Sequence, residues 1–272
     1  MMIKLGTSEI SNDSKLTIFG GVNVIESEDL LFKVAEKFCT LSEKIGFNYI
    51  FKASFDKANR SSLDSFRGPG IEEGLKVLDK VKSTFNVPVI SDIHEPEQAK
   101  MAAEVCDVIQ IPAFLCRQTD LVVAAAQTKK IINLKKPQFS SASELSHAIK
   151  KCEVSGNPNI ILCERGNSFG YNNLVVDMLN FQLLKELAKP VFFDVTHSLQ
   201  QPGALEKSTG GRGQYVFELA KAGISQKIAG LFLETHPDPS IAKCDGPCAL
   251  KLSDLEKFLS DLFELDALVK NF

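Results

Sequence analysis

Positive charges, amides and hydroxyls follow an apolar run near position 55. The segment Phe51–Arg67 reads FKASFDKANRSSLDSFR, and such a run opening into cations is how a buried strand delivers a phosphate-binding loop. The segments Lys135–Gln138 and Glu164–Gly166 carry cations at the same relative position. Like charges directed at one place repel each other unless an anion or acidic partners compensate. These segments therefore predict a phosphate or carboxylate ligand.

A second set of side chains has the chemistry of divalent-metal ligands. His197 ends the run FFDVTH, Glu234 and His236 end a later apolar run, and Asp245 lies in the sequence CDGP. Imidazole and carboxylate groups bind divalent metals. The same groups also form polar networks around water, so the pattern leaves both interpretations open.

The overall charge argues against nucleic acid or an anionic membrane as a partner. Lys plus Arg is 31 and Asp plus Glu is 34, which gives a net charge of −3. This balance gives no reason to expect binding to nucleic acid or to an anionic membrane.

The segment Met1–Gly6 lacks the apolar core of a signal peptide, and no apolar run approaches the roughly 18 residues of a membrane span. We expect a soluble, cytoplasmic protein.

The cysteines do not form a recognisable framework. There are seven, an odd and scattered set, which argues against the disulfides of a secreted protein and favours reduced, mostly buried thiols. Cys244 and Cys248 lack the second Cys or His pair of a structural zinc site, so we do not expect one there.

Short β-rich runs alternate with amphipathic helical stretches from about residue 16 to the C-terminus, without a low-complexity linker. After the first run, apolar residues repeat at steps of three and four from Leu31 to Ile45 and end at Gly46, a typical helix terminus. The eight predicted strands are Leu16–Val24, Tyr49–Phe55, Pro88–His94, Val108–Phe114, Ile131–Lys136, Ile160–Arg165, Val191–His197 and Ile228–His236.

Eight βα units in 272 residues favour a closed (β/α)8 TIM barrel, for which roughly 250 residues are typical, over an open doubly wound sheet. We predict one α/β barrel domain over residues 1–272. Residues 1–15 form an N-terminal extension, in which Ile3–Leu5 and Ser8–Ile10 pair as a β-hairpin over the barrel bottom. The active site of such a fold lies where the C-terminal strand ends converge, so the strand-end cations and the metal-type ligands should meet there.

The segment Leu199–Gly213 is long for a loop without secondary structure in a compact domain. It carries Lys207 and Arg212 between glycines. One interpretation is a mobile lid that closes over an anion and excludes water. The alternative is a flexible surface loop.

Longer motifs are distributed over all eight units. They are FGGVNVIES at 19–27, Phe51–Ser62, DVIQIPAFL at 107–115 with RQTD at 117–120, Lys135–Phe139, Phe193–His197 and His236–Pro247. Together they resemble the 3-deoxy-D-manno-octulosonate 8-phosphate synthases, also named 2-dehydro-3-deoxyphosphooctonate aldolases. The resemblance covers nearly the whole chain.

This resemblance implies condensation of phosphoenolpyruvate with D-arabinose 5-phosphate and water, which releases inorganic phosphate and serves lipopolysaccharide biosynthesis. It implies a homotetramer. By similarity, phosphoenolpyruvate is held by Lys52, Lys57, Lys135, Gln138 and Arg165. By similarity, the sugar phosphate is held by Asn59, Arg60 and Ser61, and by Arg117 reaching in from a neighbouring subunit.

The resemblance also bears on cofactors. The family divides into metal-dependent enzymes, with a cysteine in the first strand motif, and metal-independent enzymes, with an asparagine there. This chain has Asn23 at that position. We therefore expect catalysis without metal or other cofactor, with Asn23, His197 and Asp245 as catalytic residues. The metal-ligand positions His197, Glu234 and Asp245 are then vestigial.

Two alternatives compete with this function. The related synthase of aromatic biosynthesis condenses phosphoenolpyruvate with erythrose 4-phosphate, but the form KANRSS at 57–62 favours the arabinose 5-phosphate enzyme. A catalytically silent phosphosugar-binding barrel belongs to a different class. Comparing turnover of the two sugar phosphates distinguishes the two synthases, and phosphate release from phosphoenolpyruvate that depends on the sugar phosphate would exclude the silent barrel.

Overall fold

The N-terminal extension is the predicted hairpin. A computed structural model describes residues 1–204 and 210–272 of the chain. Strands β1 (Ile3–Leu5) and β2 (Ser8–Ile10) pair antiparallel, with Ile3 opposite Ile10. Both isoleucines are fully buried and pack into the same apolar cluster as the barrel interior. The hairpin therefore closes the end of the barrel where the strands begin, as predicted.

The main sheet is a closed parallel barrel, which confirms the predicted fold. Each strand pairs in parallel with the next, and the last pairs with both the first and the seventh. The barrel strands are β3 (Thr17–Val24), β4 (Asn48–Ser54), β5 (Val89–Asp92), β6 (Val108–Ile111), β7 (Ile131–Lys135), β8 (Ile160–Glu164), β9 (Val191–Asp194) and β10 (Gly230–His236).

A helix follows each barrel strand. The helices are α1 (Glu28–Ile45), α2 (Ile71–Phe85), α3 (Gln98–Val105), α4 (Thr119–Gln127), α5 (Leu145–Val154), α6 (Leu179–Lys185), α7 (Val216–Ile224) and α8 (Leu255–Lys270). Helix α1 ends at Gly46 in the left-handed conformation, with φ of 98°, as the sequence predicts. In the described ranges, no helix is both long enough and apolar enough to cross a membrane.

Three predicted strands end two or more residues early, β5 at Asp92, β6 at Ile111 and β9 at Asp194, and in the last two the chain turns at that point. Strand β6 stops at Ile111 before Pro112, and Ala113–Leu115 forms a 3₁₀ turn. Strand β9 stops at Asp194, whose carboxylate accepts the backbone N–H of His197 at 3.0 Å. These turns direct the following side chains across the mouth instead of along the strand.

In the described residues, five two-residue strands lie among the loops at the C-terminal end of the barrel and form three pairings. Asn167–Ser168 pairs with Leu174–Val175, Gln200–Gln201 pairs with Gly210–Gly211, and Leu250–Lys251 pairs with β10. The second ribbon brackets the predicted lid, so that segment is not structureless at its two ends.

The core has an inner and an outer layer. Inside the barrel, Phe19 and Phe192 pack with ring centroids 4.3 Å apart. Outside it, the strands pack against the helices through a larger apolar cluster. Strands β3 and β4 approach so closely that a methyl group on Gly21 would lie 1.9 Å from the carbonyl oxygen of Lys52. Only glycine allows the two backbones to come this close, and the close contact sets the position of β4, the strand that carries Lys52.

Candidate active site

The C-terminal ends of the barrel strands converge on two adjoining cavities. One has a volume of about 240 Å³ and reaches into the barrel, where Lys52, Lys135 and Asp194 line it. The other, about 270 Å³, opens outward past Arg60, Ser61 and Asp245. The two share six lining residues: Lys57, Asn59, Phe114, Gln138, Arg165 and His197. The C-terminal end of the barrel, which we call the mouth, thus holds two cavities separated by these six shared residues, which we call the shared wall.

Two buried lysines at the inner cavity are each neutralised by a carboxylate. Lys52 contacts Glu234 and donates to the carbonyl oxygen of Asn23 at 3.0 Å. Burial lowers the pKa of Lys52, although Glu234 acts in the opposite direction. Burial raises the pKa of Glu234, but the charges of His197, Lys52 and Lys57 outweigh it and bring that pKa to about 2. The site therefore keeps its carboxylate ionised beside the lysine.

The second lysine ends β7, the fifth strand of the barrel. The Lys135 ammonium lies 2.5 Å from a carboxylate oxygen of Asp194 and 3.1 Å from the ring centroid of Phe232. Asp194 also accepts from His197 Nδ1 at 2.7 Å. Burial opposes ionisation of Asp194, but His197 and Lys135 hold its pKa well below its usual range. Phe232 gives Lys135 an aromatic floor, which a cation favours.

Arg165 and Gln138 present polar atoms without protein partners. Among the described residues, Arg165 Nη1 and Gln138 Oε1 are buried and form no hydrogen bond. Arg165 Nη2 donates to Gln200 Oε1 at 2.8 Å, which orients the guanidinium. Buried polar groups in proteins are normally paired, so these atoms indicate a place for a polar ligand. Both residues lie on the wall that the two cavities share.

The KANRSS segment forms the outer rim. Burial lowers the pKa of Lys57, but Glu234 and Asp92 raise it more, so the net pKa lies above the usual range. Asn59 and Ser61 are exposed beside the outer cavity. Arg60 contacts Cys244 Sγ and donates to the carbonyl oxygen of Lys243 at 3.3 Å. The loop after β10 therefore positions Arg60.

The metal-type residues do come together. One ligand atom from each of His197, Glu234 and Asp245 lies within 4.8 Å of the others. The amide nitrogen of Asn23 lies among them: it contacts Glu234 Oε2, donates to Asp245 Oδ2 at 2.9 Å and lies 3.5 Å from His197 Nε2. Rotating the amide by half a turn would set its oxygen against both carboxylates.

This arrangement does not fit a resident divalent cation. An amide N–H is a hydrogen-bond donor and cannot ligate a metal. The amide nitrogen of Asn23 already supplies a donor at the point where the carboxylates converge. The amide nitrogen therefore joins the two carboxylates in a hydrogen-bonded network.

Two expected residues lie elsewhere. Arg117 does not line either cavity of its own chain; it lines a third, of about 230 Å³, with Glu144, His147 and Lys151. Arg117 is exposed there, and its placement toward a neighbouring subunit stays a prediction. Arg212 donates to the carbonyl oxygen of Leu174 at 3.1 Å. Lys207 lies outside the described residues, and the lid also stays a prediction.

Sequence reasoning missed partners that hold the ligand-facing groups in place. Phe232 beneath Lys135 looks like a core residue of the last strand, and Gln200 beside Arg165 follows a different strand. A third is Ser54, which contacts Asp92, and Asp92 in turn lies 3.1 Å from His94 Nε2. No spacing in the sequence connects these pairs, since closure of the barrel brings them together.

The fold and the site define a (β/α)8 barrel with lysine and arginine side chains at the C-terminal ends of its strands. The DAHP synthetase I family model matches residues 2–271. The chain therefore belongs to the DAHP synthetase I family.

Individual relatives carry a more specific name. The chain is 62% identical over 270 residues to 2-dehydro-3-deoxyphosphooctonate aldolase of Stutzerimonas stutzeri, covering 99% of this chain and 96% of the relative. The proteins of the same name from Pseudomonas aeruginosa and Pseudomonas putida are 60% and 61% identical over 271 residues, covering 100% of this chain and 96% of each relative. The family expected from the sequence motifs is confirmed.

Proposed function

We propose that the protein condenses phosphoenolpyruvate with D-arabinose 5-phosphate and water to give 3-deoxy-D-manno-octulosonate 8-phosphate and inorganic phosphate. The observation that carries the proposal is the convergence of Lys52, Lys57, Lys135 and Arg165 on the wall and floor of two adjoining cavities. Two substrates that together bring two phosphates and one carboxylate match this arrangement. The names of the relatives agree with it.

The inner cavity suits phosphoenolpyruvate. Lys52, Lys57 and Lys135 supply compact positive charges, and the free Nη1 of Arg165 supplies a directed N–H donor. Arginine suits phosphate because its planar group donates two parallel hydrogen bonds. The outer rim, formed by Asn59, Arg60 and Ser61, then takes the phosphate end of the sugar.

With the substrates held in this way, carbon 3 of phosphoenolpyruvate attacks the sugar aldehyde. Positive character develops at carbon 2, where water adds before phosphate leaves. Orientation and electrostatic stabilisation carry most of such a reaction. His197 lies between Asp194 on one ring nitrogen and the Asn23, Glu234 and Asp245 cluster on the other. We assign the positioning of water and protons to Asn23, His197 and Asp245.

A phosphate-release assay tests the substrate assignment. We expect phosphate release from phosphoenolpyruvate that requires D-arabinose 5-phosphate and is much slower with erythrose 4-phosphate. Faster turnover of erythrose 4-phosphate would favour the aromatic-pathway reaction instead. Failure of every sugar phosphate to promote release would point to a phosphosugar-binding protein.

We also propose that the reaction needs no metal, and that the enzyme acts as a homotetramer in which Arg117 completes the neighbouring site. The contacts of the Asn23 amide support the first part, because they occupy the centre of the only cluster of three possible ligands found in the described ranges. The exposed position of Arg117, away from its own mouth, supports the second. Activity that a chelator abolishes and a divalent cation restores would contradict the first part.

The Asn23→Cys variant is expected to gain a metal site. A thiolate there would join His197, Glu234 and Asp245 as a fourth ligand, and soft thiolates bind zinc tightly. We expect Zn²⁺ to remain on the variant after dialysis, measured by elemental analysis, while the wild type retains much less. Asn23→Ser, which offers no thiolate, is the matched control. Equal metal content in the two variants would contradict this prediction.

A further inference from the structure

Lys136 is a buried cation that the proposed chemistry does not use. Its side chain has no exposed surface, although the neighbouring Lys135 opens into the inner cavity. Successive side chains of a strand point to opposite faces, so Lys136 points away from the barrel interior. Its ammonium lies 3.5 Å from Glu164 Oε1 and donates to Asn167 Oδ1 at 2.8 Å. Burial lowers the pKa of Lys136, and Glu164 acts against that effect.

Glu164 connects this charge to the backbone of Arg165. Its Oε1 accepts the N–H of Arg165 at 2.9 Å and the N–H of Gly166 at 2.6 Å. Gly166 has φ of +85°, a left-handed conformation that suits glycine and makes the chain turn there. The ion pair therefore holds the turn from which the Arg165 side chain reaches the cavity wall.

The same ammonium also holds the loop that carries Gln138. It donates to the carbonyl oxygens of Pro137 at 3.2 Å and Ser140 at 3.4 Å, on either side of Gln138. Asn167 joins the two loops a second time, because its Nδ2 donates to the Ser140 carbonyl oxygen at 3.2 Å. One buried charge thus connects the loop after β7 with the loop after β8.

We propose that Lys136 is a positioning residue for phosphoenolpyruvate, because its contacts with Glu164 and the Gln138 loop set the relative placement of Arg165 and Gln138. Those two residues present the unpartnered buried atoms of the shared wall. The inference rests on the proposed function, since it assigns the wall to phosphoenolpyruvate. A displacement of about 1 Å in such a pair can cost on the order of a hundredfold in rate.

The test compares Lys136→Met with Lys189→Met. Lys189 is a matched control: it is also buried, lies 2.7 Å from Glu153 Oε1 and donates to the Pro158 carbonyl oxygen, but it precedes β9 at the opposite end of the barrel. We expect Lys136→Met to raise the KM for phosphoenolpyruvate roughly tenfold or more, with a smaller change in the KM for the sugar phosphate. Lys189→Met should lower Tm and leave both KM values unchanged.

Two further variants separate positioning from general stability. Lys136→Met combined with Glu164→Gln removes both charges, so it should recover Tm more than it recovers the KM. Lys136→Arg keeps the charge and should restore part of the phosphoenolpyruvate KM. If Lys136→Met does not fold, these two variants provide the comparison.

The outcomes also distinguish this inference from the proposed function. Absence of sugar-dependent phosphate release in the wild type would overturn the function. An active wild type whose Lys136 variants change Tm, while both KM values stay within about twofold, would overturn the positioning role alone, since twofold is far below the effect of a misplaced ligand group.

Discussion

The Lys135→Met variant is expected to lose roughly a thousandfold in kcat/KM for phosphoenolpyruvate, the upper range for removing one preorganised donor from an active site. Lys135 is almost fully buried at the inner cavity, held by Asp194 and lying over Phe232. Methionine keeps much of the side-chain length and contacts the ring, but it removes the charge. Without the Lys135 ammonium, the negative charge of Asp194 faces an anionic ligand with less compensation. Steady-state phosphate release across a range of phosphoenolpyruvate concentrations measures the effect.

Lys130→Met is the matched control for this prediction. Lys130 immediately precedes the same strand, β7, at the opposite end of the barrel from Lys135. The same substitution there should leave kcat/KM close to the wild-type value. If Lys135→Met retained activity comparable to Lys130→Met, Lys135 would not bind substrate, and the inner cavity would need another assignment.

The Glu234→Gln variant is expected to lose stability on the order of 3 kcal/mol at neutral pH, because it leaves Lys52 buried without a counterion. A carboxylate whose pKa falls from an ordinary 4.5 to about 2 on folding stabilises the protein fully above pH 4.5. That contribution disappears as the pH falls through 2. The difference in unfolding free energy between wild type and variant should therefore be constant from pH 7 to 5 and shrink below that. Denaturant unfolding at a series of pH values measures it.

Glu256, which is partly exposed at the surface, provides the comparison for Glu234. It forms salt bridges with Lys37 and Lys44 at the surface, where solvent screens the charges. Glu256→Gln should change stability much less than Glu234→Gln does. A Glu234→Gln variant as stable as wild type at pH 7, or a difference that grows as the pH falls, would show that Glu234 does not compensate Lys52 in this way.

The elements of this fold were predictable because each one carries its own signal. Periodic apolar residues and a terminal glycine define α1, and the alternating β-rich runs define eight strands and a hairpin. Strand ends were predicted less well. The apolar pattern predicts His197 as the last residue of a strand, yet the chain has already turned at Asp194, whose carboxylate accepts the N–H of His197. A side-chain to backbone bond of this kind leaves no trace in apolar spacing.

The sequence predicts which cations meet at the candidate site, but it does not predict the side chains with which each of them pairs. Barrel topology alone brings Lys52, Lys135 and Arg165 to one mouth. It does not say that Glu234 neutralises Lys52, or that the Asn23 amide nitrogen lies among three metal-type ligands. These pairings depend on the register between neighbouring strands and on rotamers. Such information is spread over residues that are about 200 positions apart in the chain.

The hairpin at the N-terminal end of the barrel limits the routes by which small molecules can enter and leave the barrel interior. In the described part of the chain, Ile3 and Ile10 fill the end opposite the mouth, so the interior offers no second passage there. In the proposed reaction, phosphoenolpyruvate and released phosphate would then pass through the same end of the barrel as the sugar phosphate and the eight-carbon product, which we assign to the outer cavity. In that reaction, each product would have to leave before the next substrates enter, because entry and exit share the one open end of the barrel.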